Sequence, residues 1–168
     1  YEYGVHMPLA VRWPARLKGG RMVEQMVSFP DFAPTFLQAA GVAVPPEMTG
    51  RSFLSLLLGE GRDEPARDRV FLERERHAWC RADGLGYPCR AIRTQEFLYV
   101  RNLAPDRWPA GDPPAYGDVD GGPSKSLLLD GRNDATHAPF FEGAFAKRPS
   151  QELFDLRTDP ATVRNVAA

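Results

Sequence analysis

The sequence predicts an α/β fold that includes a packed helix and a small antiparallel sheet. Residues 31–41 carry apolar side chains at the spacing of an amphipathic helix, which is expected to pack on a sheet. Two short runs, 91–94 and 97–101, have the composition of strands and are joined by polar residues around Gln95, which predicts a β-hairpin. Sixteen prolines and fifteen glycines among 168 residues are too many for a helical bundle and favour a loop-rich α/β or α+β chain.

The first predicted domain comprises residues 1–61 and is the trailing part of the α/β domain. Within it, the apolar run Met7–Trp13 is too short for a helix and is closed by Pro14, so we expect a buried strand. Residues Ser52–Leu58 are typical of a short helix, and the glycine-rich residues 59–61 then form a loop.

The helix at residues 31–41 has recognisable start and stop signals. Ser28 is a good N-cap, and the Asp31 carboxylate lies near the positive end of the helix dipole. Gly41 is placed to end the helix as a C-cap. The apolar positions expected on one face are Phe32, Phe36, Leu37 and Ala40.

The second predicted domain, residues 62–168, is a C-terminal α+β subdomain that begins with the charged linker 62–69. Five prolines and four glycines in residues 102–123 exclude regular structure there and predict a long ordered surface loop. Besides the hairpin, the other predicted elements are strands at 70–74 and 152–156 and a helical turn at 124–129.

Charge and hydropathy exclude some classes of partner. Twenty-one Lys and Arg against 22 Asp and Glu give a net charge of −1, which provides no global field for nucleic acid. No run approaches the ~20 apolar residues of a membrane-spanning helix. Cys80 and Cys89 can pair or stay reduced, and the three histidines have no zinc-ligand spacing.

Two blocks near the start of the chain resemble the sulfatase family. The segments are YEYGVHMPLAVRWP at residues 1–14 and VSFPDFAPTFLQAAGVAVPPEMTGRSFLSLL at residues 27–57. The matching positions are Tyr1, Glu2, Gly4, Pro8, Arg12, Trp13, Pro14, Ser28, Asp31, Ala33, Pro34, Thr35, Gly41, Gly50, Arg51 and Ser52.

The C-terminal half extends this resemblance. Residues 87–94, YPCRAIRT, and the strand 97–102, FLYVRN, are similar to a strand pair of sulfatases. Residues 152–156, ELFDL, with Asp159-Pro160 resemble the family's closing segment. The Tyr-Pro-x-Arg form at residue 87 looks most like the sulfamidase branch, which acts on N-sulfated glucosamine or related glycan sulfates.

The resemblance implies a fold and a function. The fold is the C-terminal part of an alkaline-phosphatase-like sulfatase, a hydrolase of sulfate esters or N-sulfate on a glycan. In this family a Cys-x-Pro-x-Arg segment supplies a formylglycine nucleophile, and Asp and Asn residues bind calcium. Neither Cys80 nor Cys89 lies in that motif, so no catalytic residue, metal ligand or calcium site is expected in this chain.

The chain is therefore expected to be an inactive fragment by itself, with the missing N-terminal part of the enzyme as its partner. The resemblance also implies a periplasmic or extracellular location. Two alternatives stay open: a non-catalytic carbohydrate-binding or interaction module, and a fragment of a related phosphoester hydrolase on the same scaffold.

Candidate substrate-binding residues cluster at the end of the strand 70–74. A sulfate group requires cationic donors, and an acid near the leaving oxygen assists its cleavage. The resemblance implies that a histidine from this region contacts substrate, and His77 is the histidine in this position. Three arginines offer forked donors: Arg74, Arg76 and Arg81. The alternative is a solvated strand end whose arginines pair with Glu73 and Glu75.

Other residues have a structural role as the first expectation. His6 is a further candidate for substrate contact, with a structural role as the alternative. Trp79 and Trp108 lie in predicted loops and are core or cover residues unless they stack on a pyranose. Arg90 and Arg93 are expected to face opposite sides of their strand. One of them is expected to pair with Glu152 or Asp155.

Overall fold

The computed structural model describes residues 1–60 and 67–167. The chain divides into two compact units, His6–Val70 and a second formed by Tyr1–Val5 with Phe71–Ala168. The sequence-based boundary between residues 61 and 62 lies outside the described residues, as does most of the predicted linker, so that domain division stays a prediction. Among the described residues, every helix is too short or too polar to cross a bilayer.

Five α-helices and four β-strands make up the regular structure of the described residues. The helices are α1 (Glu2–Val5), α2 (Phe32–Ala39), α3 (Leu54–Leu58), α4 (Pro123–Asp130) and α5 (Ala138–Phe145). The strands are β1 (Arg69–Arg74), β2 (Cys89–Thr94), β3 (Phe97–Asn102) and β4 (Gln151–Asp155). Short 3₁₀ turns lie at Phe29–Asp31 and Ala82–Gly84.

The four strands form one sheet in the order β1-β2-β3-β4. Strands β2 and β3 are antiparallel, with Ala91 opposite Val100, so the predicted hairpin is confirmed. Strand β4 pairs antiparallel with β3 and places Phe154 opposite Leu98. These two side chains are almost fully buried, because both point to the covered face of the sheet.

The long loop between β3 and α4 has no helix or strand, as predicted, but it contributes to the core. Ala110 and Tyr116 from this loop pack with Phe141 and Phe145 of α5. The Tyr116 ring makes edge contacts with both phenylalanines, at centroid distances of 6.0 and 5.2 Å. The sequence analysis did not predict helix α5, which supplies half of this aromatic cluster.

The predicted strand Met7–Trp13 is wrong. These residues form no helix or strand, and Met7, Leu9 and Val11 are about half exposed. An extended segment gains strand stability only from a hydrogen-bonded neighbour, and no strand in the described residues pairs with it.

Helix α2 forms where predicted but buries a different face. Pro34 and Thr35 are its buried residues, whereas Phe36 is 67% exposed. The Thr35 hydroxyl donates to the Asp31 carbonyl at 2.6 Å and accepts from the Phe53 backbone N–H at 2.9 Å. A buried polar pair therefore sets the orientation of this helix.

The first unit, His6–Val70, is organised around the carboxylate of Asp31. Asp31 accepts hydrogen bonds from the backbone N–H groups of Ser28, at 3.0 Å, and Arg51, at 2.8 Å. Its Oδ2 also pairs with Arg67 Nη1 at 3.0 Å, and both side chains are largely buried. Next to Arg51, Gly50 lies so close to the Pro30 carbonyl that an added Cβ would come within 1.9 Å of its oxygen. The Gly50-Arg51-Ser52 motif therefore contributes to the Asp31 network through backbone atoms: Gly50 allows the close approach to Pro30, and the Arg51 N–H donates to Asp31.

Candidate functional site

A buried carboxylate, Asp118, organises the region where substrate-binding residues were predicted. Its side chain is 2% exposed. Oδ2 accepts from Arg74 Nη2 at 2.6 Å and from Arg81 Nη2 at 2.7 Å. Oδ1 accepts from the backbone N–H of Ala78 at 2.8 Å. We call these four residues the Asp118 cluster.

Arg81 is fixed inside this cluster. Its side chain is 1% exposed. Besides Asp118, it donates to the carbonyls of Trp108 at 2.9 Å and Pro109 at 2.8 Å. Arg74 is more open, with a 39% exposed side chain, but its Nη2 is also engaged by Asp118. The two guanidinium groups thus neutralise one buried carboxylate and hold it in place.

The long loop brings Asp118 to this position across the segment around Cys80. The Asp112 N–H donates to the Cys80 carbonyl at 3.1 Å, and the Asp118 N–H donates to the Ala110 carbonyl at 2.9 Å. Gly117 lies against Cys80, and a Cβ added there would come within 2.8 Å of the Cys80 Cβ. A larger residue at 117 would lift the loop and move Asp118 from its partners.

The electrostatics of the cluster favour the ionised Asp118. Burial by itself would raise the pKa of Asp118, but hydrogen bonds from Arg81, Cys80 and the Ala78 N–H lower it on balance. Burial, with the hydrogen bond to the Asp118 carboxylate, raises the pKa of the Cys80 thiol. Cys80 and Cys89 are both free thiols, and the pKa of Cys89 is also raised by burial.

Next to the cluster, three side chains in residues 76–79 are exposed. The His77 side chain is 64% exposed, and its Nδ1 lies 3.7 Å from Asp118 Oδ1. Trp79 is 80% exposed. The Arg76 guanidinium lies over the Trp79 ring at 3.9 Å and also donates to the Gly84 carbonyl. We call Arg76, His77 and Trp79 the exposed segment.

Glu73 and Glu75 pair with a different arginine from those expected in the alternative interpretation. Glu75 binds Arg90 Nη2, and Glu73 lies 3.6 Å from Arg90 Nε. These groups are exposed, so they form a solvated ion-pair cluster on strands β1 and β2 and the residue after β1. Arg74 and Arg81 instead bind Asp118.

The structure therefore gives the predicted site residues different environments. Arg76 and His77 are available to solvent, while Arg81 is buried and Arg74 half-buried. His6 belongs to the other unit, where it lies exposed outside any helix or strand. The role of all five residues in substrate binding stays a prediction.

A second polar group, centred on the buried Glu152, includes the first residue of the chain, and the sequence analysis missed it. The Tyr1 hydroxyl donates to Glu152 at 2.8 Å, and Asn102 Nδ2 donates to the same carboxylate at 2.9 Å. Burial and the neighbouring Glu152 carboxylate raise the pKa of Tyr1, against the lowering effect of the Arg148 guanidinium.

The expected pairing of Arg90 or Arg93 with Glu152 or Asp155 is wrong. Arg93 Nη2 pairs with Glu2 Oε1 at 2.6 Å, and Glu152 is already occupied by neutral donors. Asp155 accepts from Arg157 at 2.8 Å, two residues along the chain. The residues of α1, which the sequence analysis assigned to another domain, supply the partner that Arg93 needs.

The donor groups of the described residues do not form a metal site. Across residues 1–60 and 67–167, no three or more His, Cys, Asp or Glu side chains are grouped so that they could hold a metal ion. The carboxylate of Asp118 is already saturated by two arginines and a backbone N–H. The arrangement is suited to holding a loop and presenting the exposed segment.

The sequence of this chain is similar to those of known proteins. The sequence model of a family described as "N-sulphoglucosamine sulphohydrolase, C-terminal" matches residues 1–110, more than half of the chain. An ulvan-active sulfatase from Formosa agariphila is 28% identical over 167 residues, covering 99% of this chain and 30% of the relative. Arylsulfatase K from Mus musculus is 33% identical over 104 residues, covering 60% of this chain and 18% of the relative.

A solved structure shares the fold. It comes from work on glycosaminoglycan metabolism by Bacteroides thetaiotaomicron and has a TM-score of 0.55 at 20% identity, covering 93% of this chain and 25% of that one. The predicted C-terminal part of an alkaline-phosphatase-like sulfatase fold is confirmed, as is the resemblance to sulfatases. This chain spans less than a third of the length of the curated relatives described above.

Proposed function

Because the chain belongs to the family of N-sulphoglucosamine sulphohydrolase C-terminal regions, we propose that it is the C-terminal part of a sulfatase. The complete enzyme would hydrolyse the sulfate ester or N-sulfate of a glycan. The observation that carries this proposal is the family match over residues 1–110, which includes both the Asp118-binding arginines and the exposed segment.

The chain would contribute one wall of the substrate pocket. Arg76 and His77 are exposed at the end of strand β1, where a cation and an imidazole donor suit an anionic sulfate. Arg74 and Arg81 would act mainly by fixing Asp118, so their effect on substrate would be indirect. Separately, His6 of the first unit is proposed as a substrate contact.

The proposed nucleophile and metal are assigned to the part of the enzyme outside this chain. The described residues do not fit a calcium site, because their acidic groups are paired or dispersed. Neither cysteine lies in a Cys-x-Pro-x-Arg sequence. A formylglycine and a calcium ion, the groups that the family resemblance implies, would therefore have to be held by residues that precede this chain.

The partners proposed for the chain are a sulfated glycan and the N-terminal part of the same enzyme. We further propose a periplasmic or extracellular location, which rests on the relationship to glycan sulfatases. Cell fractionation of the source organism with an antibody against this chain tests it. Recovery of the protein with cytoplasmic markers alone would contradict that location.

The proposed function is tested by reading the DNA immediately upstream of the Tyr1 codon and expressing the whole reading frame. We expect an in-frame continuation with a Cys-x-Pro-x-Arg or Ser-x-Pro-x-Arg segment and release of sulfate from N-sulphoglucosamine or a sulfate ester. An upstream stop codon followed by a start site, or a full-length protein that releases no sulfate from any of these substrates, would contradict the proposal.

The role of His77 is tested in the same full-length enzyme. His77→Ala is expected to raise KM about tenfold, since it removes a contact made with bound substrate. His137→Ala is the matched control, because His137 is a partly exposed histidine that pairs with Asp134 and does not belong to the exposed segment. An unchanged KM in His77→Ala, or an equal effect in both variants, would exclude His77 from the substrate site.

A further inference from the structure

The three tryptophans of this chain have different environments. Trp108 packs against the aromatic core, with its ring 5.7 Å from Tyr116. Trp13 is half-buried, with Arg16 5.3 Å from its ring. Trp79 is 80% exposed, although an indole is among the most costly side chains to leave in water.

The exposed indole of Trp79 is nevertheless held in one place. The Arg76 guanidinium stacks over it at 3.9 Å and is tied to the Gly84 carbonyl. Gly84 itself lies against the ring, and a Cβ added there would come within 2.7 Å of Trp79 Cζ3. The preceding residue, Asp83, has a φ of 53°, a conformation that non-glycine residues seldom adopt. The Ala82–Gly84 turn is therefore shaped to receive this ring.

The backbone beneath Trp79 is anchored as well. The Ala78 N–H donates to the buried Asp118, and the Tyr87 N–H donates to the Glu75 carbonyl at 2.8 Å. A ring that is already ordered loses little conformational entropy when a ligand stacks on it. This combination of exposure and order is typical of a binding residue.

We propose that the open surface of Trp79 stacks on the pyranose ring of a sulfated sugar, while Arg76 and His77 bind its anionic substituent. This inference rests on the proposed function and adds a residue that determines sugar specificity. A pyranose presents a face of C–H groups that packs on an aromatic ring, and its sulfate requires cationic donors. Arg76 uses one N–H for Gly84 and keeps further donors for the ligand.

Charge near Trp79 favours a polar ligand over an apolar protein surface. Its exposed neighbours in sequence are Arg76 and His77, and Asp83 lies in the turn against it. The centre of a protein interface is depleted of charged residues, whereas a sugar-sulfate site requires them. A contact of Trp79 with another part of the polypeptide is therefore the less favoured role, and the experiment below distinguishes the two.

The test is a calorimetric titration of the full-length protein, with its proposed nucleophile replaced by alanine so that no sulfate is released, with N-sulphoglucosamine, glucosamine and inorganic sulfate. We expect Trp79→Ala to weaken binding of N-sulphoglucosamine at least about tenfold. Binding of inorganic sulfate should change little, because sulfate has no face to stack. The matched control is Trp13→Ala, which removes the other tryptophan that stacks with an arginine and should leave the affinity unchanged.

A second variant moves the indole without deleting it. Gly84→Ala places a methyl group against Trp79 and should also weaken N-sulphoglucosamine binding, with circular dichroism confirming that the variant is folded. Equal affinities of the full-length protein with Trp79 and with Trp79→Ala would overturn the inference, as would a full-length protein that binds no N-sulphoglucosamine when Trp79 is present. Binding that depends on Trp79, together with no release of sulfate by the full-length protein with its nucleophile intact, would leave this inference standing and reject the proposed reaction.

Discussion

Each of the two units is built around one buried aspartate, and the two aspartates differ in how far away their partners lie in the sequence. Asp31 binds Ser28, Arg51 and Arg67, which are 3, 20 and 36 residues away. The nitrogen donors to the Asp118 side chain, Arg81, Ala78 and Arg74, lie 37, 40 and 44 residues before it. Asp31 joins a helix start to near and distant partners, whereas the Asp118 donors are all distant and hold a long loop over their segment.

The two aspartate networks also differ in what they position. The Asp31 network ends in backbone groups of the Gly50-Arg51-Ser52 turn, so its result is a fixed fold. The Asp118 cluster also fixes the fold, but the Ala78 N–H that it binds lies between exposed His77 and Trp79. The buried carboxylate of the second unit therefore positions side chains that remain available for a ligand.

The largest expected effect concerns the Asp31 side of the comparison. Gly50→Ala would place a Cβ within 1.9 Å of the Pro30 oxygen, so the turn that donates to Asp31 must move. We expect a loss of about 5 kcal/mol in unfolding free energy, because the clash is with backbone and also breaks the hydrogen bond from Arg51 to Asp31. Gly143→Ala is the control, because nothing lies within 4 Å of its added Cβ in helix α5. Urea denaturation measures both, and equal stabilities would contradict the close packing at Gly50.

Removing either aspartate compares the two networks directly. Asp118→Ala should cost about 4 kcal/mol and Asp31→Ala about 3 kcal/mol, because each leaves buried guanidinium charge without its partner. Asp118 neutralises two arginines and Asp31 one. Urea denaturation with far-UV circular dichroism measures the losses. Asp155→Ala, in an exposed pair with Arg157, is the control and should show no measurable change. A loss of stability in Asp118→Ala no greater than in this control would show that the Asp118 cluster does not stabilise the folded protein.

Acid should weaken the Asp118 cluster in a defined direction. The pKa of Asp118 is below its ordinary value of 3.8, so the stability from its ionisation is present above 3.8 and is lost as pH falls further. The stability difference between the wild-type chain and Asp118→Asn should therefore shrink as pH falls below 3.8. Denaturation curves across this range provide the measurement, and a constant difference would show that the folded protein does not depress this pKa.

The smallest expected effect concerns Tyr87, whose ring lies 5.7 Å from the guanidinium of Arg81 in the Asp118 cluster. Tyr87 is 3% exposed, and its hydroxyl has no hydrogen-bond partner in the described part of the chain. Tyr87→Phe should therefore raise the unfolding free energy by about 1 kcal/mol at neutral pH. A loss of stability in Tyr87→Phe would indicate that the hydroxyl has a partner in the folded protein.

Tyr87→Phe should also change how stability depends on pH in the alkaline range. Burial, with the nearby Glu152 carboxylate, raises the pKa of Tyr87 from 10.0 to about 12. The wild-type chain should thus lose stability as pH rises from 10.0 towards 12, and Tyr87→Phe should lose less. Parallel decline of both proteins over this range would assign the loss to other groups.

Local signals explain why part of the fold was predictable from the sequence. Helix α2, its start at Asp31 and the β2-β3 hairpin each depend on residues close together in the chain. Strand β4 was also predicted, although its partner β3 lies far from it in the sequence. The predicted helix end at Gly41 is confirmed, because this glycine has a φ of +72°, the left-handed conformation that commonly follows a helix. The strand expected at Met7–Trp13 was wrong because apolar composition does not supply a pairing partner.

The candidate site was only partly predictable, for the same reason. Arg76 and His77 were predicted as substrate contacts because they lie together at the end of a predicted strand, whereas Trp79 was first expected to be a core or cover residue and is 80% exposed. Asp118 was missed because nothing around it in the glycine- and proline-rich loop distinguishes it from a solvated turn residue. Its partners are brought to it only when the loop packs on Cys80 and the aromatic core.

In our proposal, the Asp118 cluster positions the exposed segment so that it binds a sulfated sugar. A crystal structure of the protein with N-sulphoglucosamine tests it most directly. We expect the pyranose against the open surface of Trp79, with sulfate oxygens about 3 Å from Arg76 or His77. A sugar bound at another surface, or a saturated crystal with Trp79 uncovered, would contradict the claim.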